Sequence, residues 1–427
     1  MLKIGISGLS HLGIVTAIGL AEKGFPVVAW DPDLNLCRRL QKGDPIVSEP
    51  NLAKLLSKNQ DKIHFTENPE DLRTPRIVYL TSDAPTNTQD HIEMAALNSI
   101  ISSTVEAIDV KATLVLMCQV PPGFTRNIQH PKKQLFYQAE TLVFGSALDR
   151  FLTPERFIVG CNDENSPVAK ELGTILNTFK CPIFTMSYES AELAKIAINA
   201  FLTSQISATN LISSVCEKID ADWSKIAQIL ATDQRIGPHA YLKPGLGLSG
   251  GNLERDINVL QHLSSTYDLE DSLIDAWKKN SIRQKNWLIR QLEEHVFTKI
   301  EEPKIALLGL TYKENTHSIK NSPAIHLLSH IRSCKIAAHD PIARIGKLPF
   351  VENVSTPLKA CHKSDVLIIA TAWPEYRNLA IDKISEQMTG RLILDPMSVL
   401  KQQRPDLFGF HWIRLGSAAK LENQTCK

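Results

Sequence analysis

At 427 residues, with 43% hydrophobic and 22% charged residues, the chain has the length of two to three domains and the composition of an ordinary globular protein. Lys and Arg total 47 against 46 Asp and Glu, a net charge of +1, which excludes a global basic field for nucleic acid or anionic membrane. No apolar run reaches the length of a membrane span, and the opening Met1-Leu-Lys-Ile-Gly-Ile-Ser-Gly8 lacks a signal peptide's features, so the expected compartment is the cytoplasm.

In chain order, Lys3 to Ser7 reads as a short apolar strand, Leu12 to Lys23 as a helix and Val27 to Trp30 as a second strand. Ile77 to Thr81, Leu114 to Cys118 and Phe157 to Gly160 read as further buried strands. Runs like these, separated by helices, predict an α/β fold with a doubly wound, Rossmann-like parallel sheet. From Ala191 the pattern turns to long helices: Ala191 to Ile219, Trp223 to Leu230, Leu253 to Leu263 and Asp271 to Glu294. Long apolar helices of this kind often form dimer interfaces. Alternation resumes near Pro303, with strands at Lys304 to Gly309, Lys335 to His339, Val366 to Ala370 and Leu392 to Leu394, and a helix at Pro323 to Ile331. This reads as a second, smaller α/β domain. Eight cysteines are scattered without paired spacing, so neither a disulfide framework nor a metal site is expected.

Gly8-Leu-Ser10-His-Leu12-Gly13 lies between the first strand and the first helix. It approximates the dinucleotide fingerprint G-x-G-x-x-G, with Ser10 at the second glycine, where a side chain takes room from a pyrophosphate. Asp31 ends the second strand, where a carboxylate accepts from a ribose 2′-OH; this favours NAD over NADP. Lys195 and Asn199 are four apart, hence on one helical face, in an Ala- and Ile-rich surround where a lone Lys is costly to bury. The plainer reading of Lys195 is a side chain reaching back to water. Cys118 reads either as a small buried strand residue or as a relocated nucleophile.

The stretch Pro244-Gly245-Leu-Gly247-Leu-Ser-Gly250-Gly-Asn252-Leu-Glu-Arg255-Asp256 resembles the active-site loop of the UDP-glucose and GDP-mannose dehydrogenases. Asn252 stands where that family has its catalytic cysteine. Other segments match in order: Gly43 to Pro50, Pro85-Thr86, Val120-Pro-Pro-Gly123, Tyr137 to Ala147, Ser190 to Phe201, Asp233 to Gly237, Gly309 to Thr316 and Asp395-Pro-Met397. The resemblance runs from about Lys3 to about Val399. It implies an NAD-binding domain over 1–190, a central helical dimerisation and active-site-loop domain over 191–298, and a nucleotide-sugar-binding domain over 299–427.

The same resemblance implies residue roles. Gly8, Ser10, Leu12, Gly13, Asp31, Pro85, Thr86, Gln119 and Lys320 would bind NAD. Gly245, Gly247, Gly250, Arg255 and Lys313 would bind the substrate. Lys195 and Asn199 would steady an alkoxide, Asp256 would act as base, and Glu140 falls on the catalytic glutamate. The chain departs from the family at Gln119, Val143, Met397 and Lys320 as well as at Asn252. The family oxidises a sugar alcohol twice, the second time through a thioester on the cysteine. An amide nitrogen is a poor nucleophile at neutral pH. The implied activity is therefore NAD-linked oxidation of the primary alcohol of a UDP-glucose-like (UDP- or GDP-) sugar, stopping at the aldehyde. Three alternatives stay open: an altered substrate; full oxidation through the aldehyde hydrate, with Glu140 activating water; and an impaired paralogue that binds NAD or nucleotide sugar in a regulatory or assembly role. A homodimer is the expected assembly; nucleic-acid and membrane partners are not expected.

Overall fold

The computed structural model describes residues 2–82 and 94–418. Its contacts divide the chain into two units, Met1–Ile198 and Asn199–Lys427.

The first unit is built on an eight-stranded sheet of β1 (Ile4–Ser7), β2 (Val27–Trp30), β3 (Ile63–Thr66), β4 (Ile77–Leu80), β5 (Thr113–Leu116), β6 (Leu135–Gln138), β7 (Phe157–Cys161) and β8 (Ile183–Ser187). The strands lie in the order β3-β2-β1-β4-β5-β6-β7-β8, parallel except for the antiparallel β6–β7 pair. β1, β2, β4 and β5 are buried along their whole length, as strands covered on both faces must be, and their sequences are continuous apolar runs. The helices are α1 (His11–Glu22), α2 (Leu34–Gln41), α3 (Leu52–Lys58), α4 (Met94–Ala107), α5 (Ala147–Leu152), α6 (Lys170–Leu176) and the start of α7 (Tyr188–Lys218). α1 is buried from Leu12 to Ala21. The strand order reverses between β1 and β4, so the carboxyl ends of those strands form the crevice where such sheets bind ligands.

The second unit carries the rest of α7, then α8 (Trp223–Thr232), α9 (Asn252–Thr266), α10 (Ser272–Lys285) and α11 (Trp287–Leu292). A six-stranded parallel sheet follows: β9 (Lys304–Leu308), β10 (Lys335–His339), β11 (Val351–Asn353), β12 (Val366–Ile369), β13 (Leu392–Leu394) and β14 (His411–Ile413). Its order is β11-β10-β9-β12-β13-β14, with α12 (Pro323–His330), α13 (Pro357–Cys361) and α14 (Ile381–Gln387) among its connections. The α/β expectation with a helical middle and a second Rossmann-like sheet is met. The single helix expected over Asp271 to Glu294 is instead two helices and a π turn, broken at Asn286. The Asn286 carboxamide oxygen bonds His326 Nε2 at 2.6 Å, and the next residue, Trp287, is wholly buried.

One buried carboxylate of this unit gives a pH signature. Glu217 on α7 accepts from Gly416 N at 2.9 Å and Trp287 Nε1 at 3.2 Å, and burial pushes its carboxyl up. The folded chain therefore holds this proton more tightly than the unfolded chain. The group's contribution is present below the unfolded value of 4.5 and is lost as pH rises through the folded one. Glu217→Gln removes that titration, so its melting temperature relative to wild type should climb from pH 4.5 towards neutrality. A pH-independent difference in parallel melts would contradict this.

Candidate functional site

In the first unit the turn after β1 is shaped for a pyrophosphate. Gly8 has φ +89, and a Cβ there would lie 2.7 Å from Ser82 Cβ. A Cβ on Gly13 would lie 2.0 Å from Gly8 O, so α1 packs directly against the turn. Ser10 has φ −62, an ordinary conformation for a side-chain-bearing residue, and its hydroxyl donates to Thr81 O at 2.7 Å. The hydroxyl is thus engaged with β4's end and does not cap the N–H groups of α1. Its first turn holds no acidic residue of its own. Leu12 is buried beneath the turn. Asp31 Oδ2 accepts from Leu9 N at 2.7 Å and Oδ1 from Asp33 N at 2.9 Å, which fixes the carboxylate at the mouth of the turn. Each oxygen keeps a lone pair for a ribose hydroxyl. These residues fit a dinucleotide, and the acid fits one without a 2′-phosphate. NAD should bind better than NADP by more than about tenfold, or about 1.4 kcal/mol; equal affinities in calorimetric titrations would contradict the assignment of Asp31. Pro85 and Thr86 lie outside the described residues.

Two buried carboxylates that the sequence reading passed over organise this unit. Glu49, in the Gly43 to Pro50 segment, accepts from Gly145 N at 2.7 Å and Ala147 N at 3.1 Å and meets His11 Nε2 at 2.8 Å. His11 in turn lies 4.2 Å from the ring of Phe144. Glu192 on α7 accepts from Gly123 N at 2.5 Å and Thr125 N at 2.8 Å. The signal for Glu192 was present: it is a second charged residue in the same apolar stretch as Lys195, and equally costly to bury alone.

Lys195 is 7% exposed, so the surface-reaching reading fails; its ammonium lies 3.8 Å from Glu140 Oε2. Glu140 also accepts from Leu142 N. Gln119 is half-buried, and Val143, at the family's arginine position, is exposed. Cys118 is fully buried and its thiol donates to Leu80 O at 3.6 Å, which places it in the core rather than at a reacting centre. The other described cysteines are no better activated. Burial pushes the thiols of Cys161, Cys181, Cys216 and Cys334 up, Cys37 to about 11 and Cys361 to about 12, the opposite of what a nucleophilic thiolate needs.

In the second unit Asn199 and Asp256 come together. The Asn199 amide donates to Asp256 Oδ2, and Arg255 Nε lies 3.5 Å from Asp256 Oδ1. Asp256 is 1% exposed and Asn199 6%. Asn252 is the first residue of α9 and is exposed. The loop before it is tightly fitted: Gly245 N donates to Asn210 Oδ1 at 2.8 Å, Gly247 packs on Ser281 O and Gly250 on the ring of Tyr312. Lys313 Nζ lies 5.7 Å from the Tyr312 ring centroid, and Lys320 is exposed. Asp340, at the end of β10, repeats the arrangement of Asp31: its Oδ2 accepts from Leu310 N at 2.7 Å beside Gly309, whose φ is +92. Trp373 Nε1 also donates to that oxygen, at 3.0 Å. Met397, where a substrate arginine was expected, is half-buried. Among the described residues there is no cluster of three or more His, Cys, Asp or Glu able to hold a metal, and no helix long and apolar enough to cross a membrane.

Comparison with known proteins agrees with this geometry. Three models of the UDP-glucose/GDP-mannose dehydrogenase family match in order: its NAD binding domain over residues 2–180, its central domain over 189–281 and its UDP binding domain over 306–402. The chain is 26% identical to the UDP-glucose 6-dehydrogenase TuaD of Bacillus subtilis (strain 168) over 439 residues, covering 98% of this chain and 94% of that one. It is 27% identical to the UDP-glucose 6-dehydrogenase YwqF of the same strain over 412 residues, covering 92% and 93%. Among solved structures, a UDP-glucose dehydrogenase from Pyrobaculum islandicum superposes with a TM-score of 0.84 at 25% identity, over 94% of this chain and 96% of that one. The dinucleotide turn, the matched NAD binding domain and the full-length relatives make the cofactor NAD, and the chain belongs to the UDP-glucose/GDP-mannose dehydrogenase family of NAD-dependent nucleotide-sugar dehydrogenases.

Proposed function

We propose that the chain oxidises the primary alcohol of a UDP- or GDP-sugar, in the manner of a UDP-glucose 6-dehydrogenase, and releases the aldehyde. The observation that carries this reading is the pairing of buried Lys195 with Glu140 and of Asn199 with Asp256, while an exposed amide occupies the nucleophile's place at Asn252. NAD, when bound, supplies the acceptor for the hydride leaving the sugar carbon. Asp256, directly or through water, takes the hydroxyl proton. Lys195 and Asn199, one turn apart on α7, stabilise the alkoxide with a buried ammonium and an oriented amide. Gly8, Ser10, Leu12, Gly13, Asp31, Gln119 and Lys320 serve the cofactor; Gly245, Gly247, Gly250, Arg255 and Lys313 serve the nucleotide sugar. The working domains are 1–190, 191–298 and 299–427, and the proposed compartment is the cytoplasm.

The assembly is a homodimer. Phe201, Leu211 and Val215 on α7, and Ile219 just after it, are 47–74% exposed, an apolar surface of the kind a second copy covers. Light scattering at micromolar concentration should give twice the chain mass, and a clean monomer would contradict this.

The activity is tested by screening UDP- and GDP-sugars with NAD, following NADH and identifying products by mass. An aldehyde product supports the reading. No NADH from any nucleotide sugar, with NAD binding intact, would replace it with the binding paralogue.

A further inference from the structure

Glu192 is almost fully buried, yet none of the roles above uses it. Both its oxygens face backbone N–H groups of a segment 67–69 residues away, Gly123 and Thr125. That segment follows β5 and contains the Val120 to Gly123 turn, directly after Gln119. Its attachment to α7 is double. Arg126 of the same segment forms a two-pronged pair with Glu189, at 2.5 and 2.9 Å, one turn nearer the start of the helix. Asn127 Nδ2 closes the turn on itself through Gly123 O at 2.9 Å. The exposed Arg126–Glu189 pair is a weak fastening. The buried carboxylate with two N–H donors is a strong one, and its loss would leave the buried Thr125 donor and the half-buried Gly123 donor unpaired.

Glu192 lies three residues before Lys195, so both project from one face of α7. A single helical turn thus holds the ammonium assigned to the alkoxide and the backbone of the turn that follows Gln119. An apolar side chain would fill the same space without the cost of burying a charge. What the carboxylate adds is a fixed distance between the two.

We propose that Glu192 is a positioning residue for hydride transfer: it locks the Val120–Thr125 turn to α7 and so sets the cofactor side of the site against Lys195. The proposal rests on the dehydrogenase reading. It requires that loosening Glu192 spoils alignment rather than folding.

The test uses the full chain with Glu192→Gln, which keeps the shape and one acceptor, and Glu192→Ala, which keeps neither. Amide exchange at Gly123 and Thr125, NAD affinity by calorimetry, and turnover of UDP-glucose dideuterated at C6 are measured together. In Glu192→Ala, exchange at those two amides should quicken by about tenfold or more at an unchanged level in the distant β9–β12 core. Turnover per folded molecule should fall about tenfold or more, with sugar KM little changed and a larger deuterium effect on kcat, because misaligned hydride transfer becomes the slow step. Glu192→Gln should fall between. If Glu192→Ala does not fold, Glu192→Gln alone must show the raised isotope effect. Unchanged isotope effect and turnover in a folded variant would overturn the proposal. If wild type reduces no NAD with any nucleotide sugar, the dehydrogenase reading fails separately, and NAD affinity decides. A loss of about fivefold or more with faster exchange at Gly123 and Thr125 supports the positioning role; an unchanged affinity overturns it.

Discussion

Asn252→Cys is expected to turn a one-step oxidation into a two-step one, raising the yield from about one to about two NADH per sugar and the product from an aldehyde to a uronic acid. The residue is exposed at the first position of α9, so the substitution disturbs no packing. A thiol there meets the N-terminal N–H groups of the helix, which favour its thiolate. Glu254 works against that, but its carboxylate is engaged by Lys285 at 2.7 Å and by Asn321. The thiolate adds to the aldehyde carbon, and the resulting thiohemiacetal can give up a second hydride to a second NAD. The thioester so formed is cleaved by water, returning the thiol and leaving the carboxylate. Asn252→Ser should stay at one NADH, because a serine hydroxyl without an adjacent base is a weak nucleophile. If Asn252→Cys also stays at one, the loss of the second step has a cause other than the missing thiol.

Lys195→Met is expected to lower kcat by about 10²–10³-fold with a small change in sugar KM, the usual size of losing one preorganised stabiliser of developing charge. The side chain is 7% exposed and held 3.8 Å from Glu140, so its ammonium is already oriented before substrate arrives. Methionine preserves the stem and removes only the charge. Steady-state kinetics on protein shown by circular dichroism to be folded would check this. A loss under about tenfold would mean that the alkoxide is stabilised elsewhere.

Much of this was legible in the residues. The β1–Gly8–α1–β2–Asp31 run could be read because its strands are short continuous apolar blocks and its turn chemistry is local. The second sheet was readable at β9, β10, β12 and β13 for the same reason. β3, β6, β8, β11 and β14 were missed: β3, β8 and β11 carry exposed positions, β14 has only three residues, and β6 is a buried four-residue run that gave no less signal than β1. The break at Asn286 was hidden, since no glycine or proline marks it and it depends on a distant partner, His326.

At the candidate site, the resemblance pointed to Lys195, Asn199, Asp256 and Glu140; the structure sets Lys195 beside Glu140 and, separately, Asn199 beside Asp256. The sequence could not show that Ser10 turns its hydroxyl towards Thr81. It also missed Glu49 and Glu192, because a carboxylate reads as solvated until the backbone N–H groups that receive it are seen.

The wild-type chain should transfer one hydride and stop. The direct measurement is the number of NADH formed per sugar consumed at completion, with the product trapped by a hydrazine and identified by mass. The expected result is about one NADH and an aldehyde hydrazone, because no thiol stands at position 252 to carry a second oxidation. About two NADH with a uronic acid, produced by the chain with Asn252 in place, would contradict it.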